Sequence, residues 1–472
     1  MQRESNNTRI HSQISSYEER QKTKLVELGQ SNKSYKNILS YLEAEIKQST
    51  RMSSFNYKIH CFKDDGVYQL NRAIEAVYGS VSFKKDESPS GGNDVVQTID
   101  IQLASGERIK TLYGQIALPE AGEDAHIDIS YDNISDVLYV KGKCEFRFSS
   151  MIDEIVKMAE DLLRTDSIYK NQAIELGEDF VPRIMDLSSY ASEFVVLSDQ
   201  AKYELQPLMS RVLHPEECVK KGIPLKTGVL LDGAYGTGKT LQAFKIASQA
   251  IKKDWCFIYI KEPSYLARTL RLAKTLDQNG NGVILFLEDL DQIARGNRDA
   301  AMQDILNTLD GGDTKNMNVI SIFTTNHIEL IEPTFLRGKR IGSVISLGFL
   351  DKKTAREYIT ITFSKDNYEI ALEGMDEVCS LIEESNIAPA FMAEICESVK
   401  SHMIFSDEPV IRAEYIENAV KSYLRQVNIA KKKDMSETQE IRLANSLKSV
   451  ITEEVLTVLK KQEAFLQETF NS

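Results

Sequence analysis

A glycine-rich stretch near the middle of the chain has the residue types and spacing of a phosphate-binding loop. Residues 233–240, Gly-Ala-Tyr-Gly-Thr-Gly-Lys-Thr, fit the pattern G-x-x-x-x-G-K-S/T. In such a loop the backbone N–H groups face the β-phosphate, the lysine reaches the β- and γ-phosphates, and the last hydroxyl ligates Mg²⁺. The residues predicted to contact a nucleotide here are Gly233, Tyr235, Gly236, Thr237, Gly238, Lys239, Thr240 and Leu241.

Two adjacent acids, Glu288 and Asp289, directly follow the apolar run 284–287, Ile-Leu-Phe-Leu. A buried strand that ends in acids can supply one carboxylate that holds Mg²⁺ through water and a second that orients the attacking water. Neighbouring residues at a strand end point to opposite sides, so position decides the role. We therefore predict that Glu288 serves the Mg²⁺ ion and Asp289 the water, while Asp291 is structural or faces a subunit interface.

The elements that must position these residues alternate between strand-like and helix-like runs. This alternation, from about Phe194 to Leu347, is typical of a parallel sheet covered by helices on both faces. The predicted strands are 228–231, 255–260, 282–287, 318–324 and 343–349. Past Asp351 only helical patterns are expected. The chain therefore predicts an α/β fold, a P-loop NTPase parallel sheet with a helical lid, preceded by a small α+β domain.

The ordered motifs resemble the AAA clade of the AAA+ ATPases over roughly residues 195–425, about half of the chain. The run 214–240 is similar to the segment that leads into the phosphate-binding loop of that clade. The resemblance implies ATP and Mg²⁺ as cofactors. It also implies that Asn326, after the next predicted strand, hydrogen-bonds the γ-phosphate or the attacking water. Pro389 and Ala390 resemble the short lid segment that lies over the nucleotide.

Arg337 and Arg340 resemble the two arginine fingers of this clade, which insert into the site of the neighbouring subunit. An arginine finger can contribute about 10³–10⁵ in rate by countering charge on the transferring phosphoryl group. If the fingers act in trans, the protein works as a closed ring, and the resemblance implies a homo-hexamer.

The chain departs from the clade at three places. It carries Glu288 then Asp289 where the clade usually has Asp then Glu, and a misplacement of about 1 Å can cost about a hundredfold in rate. Gly338-Lys339 replaces the usual Pro-Gly. After the predicted strand 255–260, the aromatic–hydrophobic–glycine loop of the threading members is absent. Tyr265 is either a substitute for that loop or a core residue.

Composition restricts the class of protein further. With 472 residues, 42% hydrophobic and 27% charged, the chain has the composition of a globular protein, and its length predicts about three domains. No apolar run approaches the ~20 residues of a membrane helix. Six cysteines without a C-x-x-C pair argue against a disulfide framework or a zinc site, and a net charge of −13 argues against wrapping nucleic acid. We therefore expect a cytoplasmic protein without membrane association.

Changes of hydrophobic period divide the chain into five predicted regions. They are an N-terminal helical or disordered segment (1–54), an α+β recognition domain (55–190), the ATPase domain (191–350), the helical lid (351–426) and a C-terminal helix (427–472). Pro182 and the Ser188-Ser189 pair mark a predicted linker. The apolar stripe of the C-terminal helix, over 436–470, packs on its own subunit or contacts a partner.

Three functional hypotheses follow. The first is a ring-forming, Mg²⁺-dependent ATPase that remodels or disassembles a protein substrate or adaptor bound through its N-terminal domain. The second is a nucleic-acid motor built on the same ring, motivated by Lys261, Arg268 and Arg271 on the segment expected to line a pore. The third is a nucleotide-gated oligomeric scaffold with slow hydrolysis, motivated by the reversed Glu288-Asp289 pair.

Overall fold

The computed structural model describes residues 35–79, 97–276, 282–293, 317–331, 341–406 and 410–429. These residues fall into two compact units. The first is drawn from Met1–Val195, Asp199–Gly233 and Gly238–Leu347, and the second from Val196–Ser198, Ala234–Thr237 and Gly348–Ser472. The predicted N-terminal stretch up to residue 34 and the predicted C-terminal helix over 436–470 lie outside the described residues.

An antiparallel sheet with helices on it builds the N-terminal part of the first unit. Its elements are α1 (Tyr35–Ser49), β1 (Met52–His60), α2 (Lys63–Val77), β2 (Gln97–Gln102), β3 (Arg108–Ala117), β4 (His126–Asp132), β5 (Val137–Glu145) and α3 (Ser149–Thr165). The strand order is β1-β5-β4-β3-β2, and neighbouring strands are antiparallel. Helices α2 and α3 pack on each other and bury their apolar faces in one core with the sheet. The predicted α+β domain is therefore present.

A second sheet, of seven strands within the described residues, forms the rest of the first unit. Its strands and helices are β6 (Ala173–Leu176), β7 (Pro182–Ile184), α4 (Ser188–Ser192), α5 (Asp199–Leu213), α6 (Pro215–Lys220), β8 (Thr227–Asp232), α7 (Lys239–Ile251), β9 (Trp255–Ile260), α8 (Leu266–Leu276), β10 (Gly282–Leu287), α9 (Leu290–Ile293), β11 (Val319–Thr325) and β12 (Ser343–Ser346). The order is β12-β8-β11-β10-β9-β6-β7, parallel up to the antiparallel β6–β7 pair. Every residue of β10 and β11 is buried, as strands covered on both faces require. This is the predicted α/β sheet.

The first strands of this sheet lie closer to the N-terminus than the sequence patterns indicate. β6 pairs with β9 and β7 pairs with β6, so residues 173–184 join the seven-stranded sheet, although the predicted α+β region extends to residue 190. Strands of three and four residues are too short to produce a recognisable periodicity. Pro182, predicted to mark a linker, begins β7 at the sheet edge, where its missing N–H removes no ladder hydrogen bond.

The sheet order explains how distant residues reach one place. β8, β11 and β10 are consecutive neighbours, so their carboxyl ends lie side by side. The glycine-rich loop follows β8, Glu288 and Asp289 follow β10, and Asn326 follows β11. In parallel α/β sheets, ligands bind at this edge.

Helices dominate the second unit. Its elements are α10 (Lys352–Lys365), β13 (Glu369–Ile370), α11 (Met375–Glu384), α12 (Pro389–Ser406), β14 (Val410–Ile411) and the helical residues 413–429. The Asp351 carboxylate accepts the N–H of Thr354 at 2.7 Å in a capping box that begins α10. The parallel pairing of β13 with β14 corrects the expectation of helices alone past Asp351, because two-residue strands leave no sequence signal. Within the described ranges, no helix has both the length and the apolar character needed to cross a membrane.

Candidate nucleotide-binding site

The glycine-rich loop leads from β8 into α7. Gly236 and Gly238 have φ angles of 80° and 91°, in the left-handed region that glycine adopts without steric penalty. A Cβ at Gly238 would project into open space, so the backbone angle rather than crowding requires glycine there. Lys239 and Thr240 form the first turn of α7, where backbone N–H groups have no partner within the helix. This local geometry suits an anion.

The tip of the loop, residues 234–237, belongs to the second unit together with the start of α12. The N–H of Ala390 donates to the backbone oxygen of Gly236 at 3.0 Å. A Cβ at Gly236 would come within 3.1 Å of the Ala390 Cβ, so a larger residue would push on α12. Tyr235 is exposed, and Pro389 is the first residue of α12. Ala390, one of the two predicted lid residues, therefore lies beside Gly236 of the predicted loop.

Lys239 is almost entirely buried, with 7% of its surface exposed. Its Nζ donates to the backbone oxygen of Gly233 and to Oδ1 of Asn326, both at 2.7 Å. Burial lowers the pKa of Lys239, and the carboxylate of Asp289 acts in the opposite direction. A buried ammonium group is stabilised by nearby negative charge, which phosphates would add.

Glu288 is held at both of its carboxylate oxygens. The hydroxyl of Thr240 donates to Oε1, and the hydroxyl of Tyr259, on the neighbouring strand β9, donates to Oε2. Thr240 and Glu288 are the two residues predicted to serve one Mg²⁺ ion, and they are in direct contact. Mg²⁺ prefers oxygen ligands and usually takes one or two carboxylates together with phosphate oxygens. The residues present therefore fit a nucleotide-bound magnesium ion.

Asp289 contacts a different set of groups from Glu288. Its Oδ1 accepts Nδ2–H of Asn326 at 2.9 Å, and its backbone N–H donates to the hydroxyl of Thr324 at 3.0 Å. Its φ angle is 49°, which is uncommon for a residue other than glycine. Burial raises the pKa of Asp289, and the negative charges of Asp291 and Glu288 raise it further. A more basic carboxylate suits a group that accepts a proton from water.

Asn326 joins the lysine to the second acid. Its amide oxygen accepts from Lys239 while its amide nitrogen donates to Asp289, so both partners fix the orientation of the amide. Asp291 is 2% exposed and accepts from the hydroxyl of Thr325 at 2.9 Å and the N–H of Asn326 at 3.1 Å. Asp291 therefore has the structural role, because it fixes the end of β11.

Of the remaining predicted site residues, the structure describes Thr237 and Leu241 but not the two arginines. Thr237 is buried, and its hydroxyl donates to the backbone oxygen of Ala234 at 2.9 Å. Leu241 is half-buried in the first turn of α7. The proposed fingers Arg337 and Arg340 lie outside the described residues. Tyr259 was not among the predicted site residues, because its position opposite β10 depends on a strand register that no local pattern encodes.

The basic residues after β9 are engaged within the first unit. Lys261 Nζ lies 2.7 Å from Oε1 of Glu175 on β6. Arg268, on α8, donates from Nε to Oδ2 of Asp136 at 2.6 Å and also contacts the other carboxylate oxygen of that residue. Arg271 is exposed. Two of the three cations that motivate the nucleic-acid hypothesis are therefore neutralised by carboxylates, which weakens that hypothesis.

Tyr265 packs beside the ion pair of Arg268 with Asp136. Its hydroxyl donates to the backbone oxygen of Glu178, and its ring lies edge-on to Phe180 with the centroids 4.8 Å apart. The guanidinium of Arg268 lies 3.7 Å from the centre of the Phe180 ring. Tyr265 is therefore a packing residue, which agrees with the second of the two predicted alternatives. We call the four residues Arg268, Asp136, Phe180 and Tyr265, with their mutual contacts, the junction.

Comparison with known proteins agrees with this arrangement. Residues 229–349, which contain Lys239, Glu288 and Asn326, match the family described as "ATPase family associated with various cellular activities (AAA)". The chain is also 32% identical over 171 residues to the 26S proteasome regulatory subunit 4 homolog of Schizosaccharomyces pombe. That match covers 33% of this chain and 38% of the relative, so the chain spans well under half of the relative's length. Residues 229–349 are therefore an ATPase module of the AAA family.

Proposed function

We propose that this protein is a Mg²⁺-dependent ATPase that works as a closed homomeric ring and remodels or disassembles a protein partner bound through its N-terminal α+β domain. One observation carries the proposal: the contact series from Lys239 through Asn326 to Asp289, beside the contact of Thr240 with Glu288. A cation, an amide, a hydroxyl and two carboxylates thus meet at one edge of the sheet. This is the set of groups that phosphoryl transfer to water requires.

Each residue has a separate task in the proposed reaction. Lys239 and the first N–H groups of α7 bind the charge of the triphosphate. Thr240 and Glu288 would hold a magnesium ion, which neutralises charge on phosphate oxygens when it is bound. Asp289 orients the attacking water and accepts its proton, and Asn326 holds the Asp289 carboxylate in place.

The reversed order of the acids is compatible with turnover. Glu288 has one methylene more than aspartate, yet its carboxylate contacts Thr240, the residue with which it must act. Asp289 has one methylene less than glutamate, and its reach is set by a left-handed backbone and by the bond from Asn326. These contacts favour an active ATPase over the scaffold hypothesis.

The ring and the partner are proposed on analogy. The segment around Arg337 and Arg340 resembles one that supplies arginine fingers in trans, which favours a closed ring, and by the same analogy a hexamer. The S. pombe relative is named as a homolog of regulatory subunit 4 of the 26S proteasome. The six cysteines are free and buried, which favours a reducing compartment such as the cytoplasm.

The junction offers a route by which partner binding could influence hydrolysis. Asp136 follows β4 in the α+β domain. Arg268 lies on α8, the next α-helix after strand β9, whose Tyr259 contacts Glu288. A partner that displaces the α+β domain would therefore act on an element adjacent to the site. Nucleic acid is not required by any of these contacts.

A mixing experiment tests hydrolysis and the ring together. We expect Lys239→Ala subunits alone, and Arg337→Ala/Arg340→Ala subunits alone, to lose almost all steady-state turnover of Mg²⁺-ATP. In an equal mixture, about a quarter of the interfaces should join an intact Lys239 to intact arginines, so about a quarter of the wild-type rate should return.

Two results would contradict the proposal in different ways. If the wild-type protein does not hydrolyse Mg²⁺-ATP, the ATPase assignment fails. If the wild-type protein hydrolyses ATP but the mixture of variants shows no turnover, the arginines do not act across subunits. The proposed ring then has no support from catalysis.

A further inference from the structure

We propose that Tyr259 is a positioning residue that sets the carboxylate of Glu288 for metal binding, so that the two residues work as a matched pair. This inference rests on the proposed ATPase function and deepens it. Tyr259 belongs to no motif of the sequence, and its hydroxyl nevertheless reaches one of the two oxygens of the metal-side acid.

The ring of Tyr259 is held by aromatic neighbours. Tyr259 lies directly opposite Phe286 in the pairing of β9 with β10, and the two rings stack with centroids 5.2 Å apart. Phe244 of α7 contacts the same ring edge-on, with centroids 5.6 Å apart. Because Phe286 is two residues before Glu288, all three aromatic rings lie on the sheet face from which Glu288 projects. The direction of the Tyr259 hydroxyl is therefore set by packing before any ligand binds.

A glutamate at position 288 needs a hydrogen bond at its second carboxylate oxygen more than an aspartate would. Glutamate has one more rotatable bond, so fixing its carboxylate loses more conformational entropy. Thr240 holds only Oε1, and a carboxylate held at one oxygen can still rotate about its last bond. The Tyr259 hydroxyl at Oε2 removes that freedom.

The two hydroxyls do not exclude a metal ligand. Each carboxylate oxygen has two acceptor sites, so one hydroxyl bond at each oxygen leaves capacity at both. The longer side chain of Glu288 and the tyrosine on the next strand thus compensate for each other. The pairing accounts for the tolerance of a glutamate at a place where the related clade usually has aspartate.

Manganese binding measured without turnover tests this pair. Free Mn²⁺ is counted by electron paramagnetic resonance as it is titrated into the full-length protein with ADP, so that no hydrolysis is needed. We expect Tyr259→Phe to weaken Mn²⁺ binding by about tenfold, the effect of one hydrogen bond to a charged group. In a Glu288→Asp background, where the shorter carboxylate does not reach Tyr259, the same change should alter binding by less than about twofold.

Tyr203→Phe is the matched control, since Tyr203 is 70% exposed on α5, and it should leave Mn²⁺ binding unchanged. Equal losses in both backgrounds would overturn the inference, because Tyr259 would then act through packing alone. Unchanged binding in Tyr259→Phe would also overturn it and leave the ATPase proposal intact. Failure of the wild-type protein to bind Mn²⁺ with ADP would instead overturn the ATPase proposal on which the inference rests.

Discussion

The carboxyl ends of β10 and β9 are neighbours in one sheet, but the charged residues that follow them are arranged differently. After β10, Glu288, Asp289 and Asp291 lie close enough that the charges of the other two raise the pKa of Asp289. The lysine that approaches them, Lys239, is bonded to an amide and to a backbone oxygen. After β9, by contrast, Lys261 is joined to a carboxylate of its own. Several carboxylates thus lie around one lysine at the end of β10, whereas one lysine and one carboxylate form an ion pair at the end of β9.

This difference in charge arrangement distinguishes the candidate binding site from the junction, which has a structural role. Carboxylates crowded beside a buried lysine shift one another's pKa values, and groups perturbed in this way mark candidate functional sites. At the junction, the Asp136 side chain is 3% exposed and Arg268 neutralises it. A buried carboxylate with its own cation requires no ligand. Substitutions at the two places should therefore change different properties of the protein.

The largest effect is expected for Asp289→Asn, which removes the proposed proton acceptor. We expect steady-state turnover of Mg²⁺-ATP to fall about 10²–10³-fold, while the Kd for ATP changes little, because Lys239 and the loop remain. Asp254→Asn is the matched control, since Asp254 also has a left-handed backbone, with φ 58°, and lies exposed on the surface. Turnover that survives in Asp289→Asn would show that Asp289 is not the proton acceptor, whereas a wild-type protein that binds ATP without turning it over would restore the scaffold hypothesis.

Residues with strong local requirements could be predicted from the sequence. Gly238 needs a left-handed φ, and Lys239 must follow it to reach phosphate, so spacing alone located both. The acids after β10 were equally visible, because a continuous apolar run ending in Glu288 is a local signal. Asn326 follows a similar run, but an asparagine after a strand is usually a turn residue, and only its place in the series of motifs that resembles the AAA clade identified it. Their mutual contacts then followed from the parallel sheet.

Residues whose roles depend on pairing between distant strands could not be predicted. Tyr259 reads as one more residue of an apolar strand until the register places it opposite Phe286. Arg268 reads as an exposed cation until Asp136, more than a hundred residues earlier, lies against it. The strands over 173–184 are short, and only their pairing with β9 reveals them.

A smaller effect, on stability rather than rate, is expected for Arg268→Ala. Its removal leaves the buried Asp136 carboxylate without a cation and exposes one face of Phe180, so the free energy of unfolding should fall by about 3 kcal/mol. Denaturant unfolding measures this change. Arg271→Ala, at an exposed position three residues along the same helix, should change it by less than about 0.5 kcal/mol. Equal effects of the two substitutions would mean that the ion pair does not stabilise the junction.

The smallest expected effect is a pH dependence of stability that comes from Asp65 of α2. Asp65 is buried but lies away from the nucleotide site. Its carboxylate accepts the hydroxyl of Ser167, the N–H of Ile168 and the amide of Gln69, and so ties α2 to the segment that leads into β6. Burial raises the pKa of Asp65 to about 6, although these three donors lower it and the charge of Asp166 adds to the rise.

The direction of the pH dependence follows from that shift. The folded protein keeps a proton on Asp65 at pH values where the unfolded chain, with an aspartate pKa of about 3.9, has already lost it. The free energy of unfolding should therefore fall by about 2–3 kcal/mol as the pH rises from about 4 to about 6, and stay level above that. Asp65→Asn should remove this slope, whereas Asp100→Asn, on the exposed side of β2, should keep it. A slope that persists in Asp65→Asn would assign the pH dependence to other groups, and the crowded acids of the nucleotide site would be the next to replace.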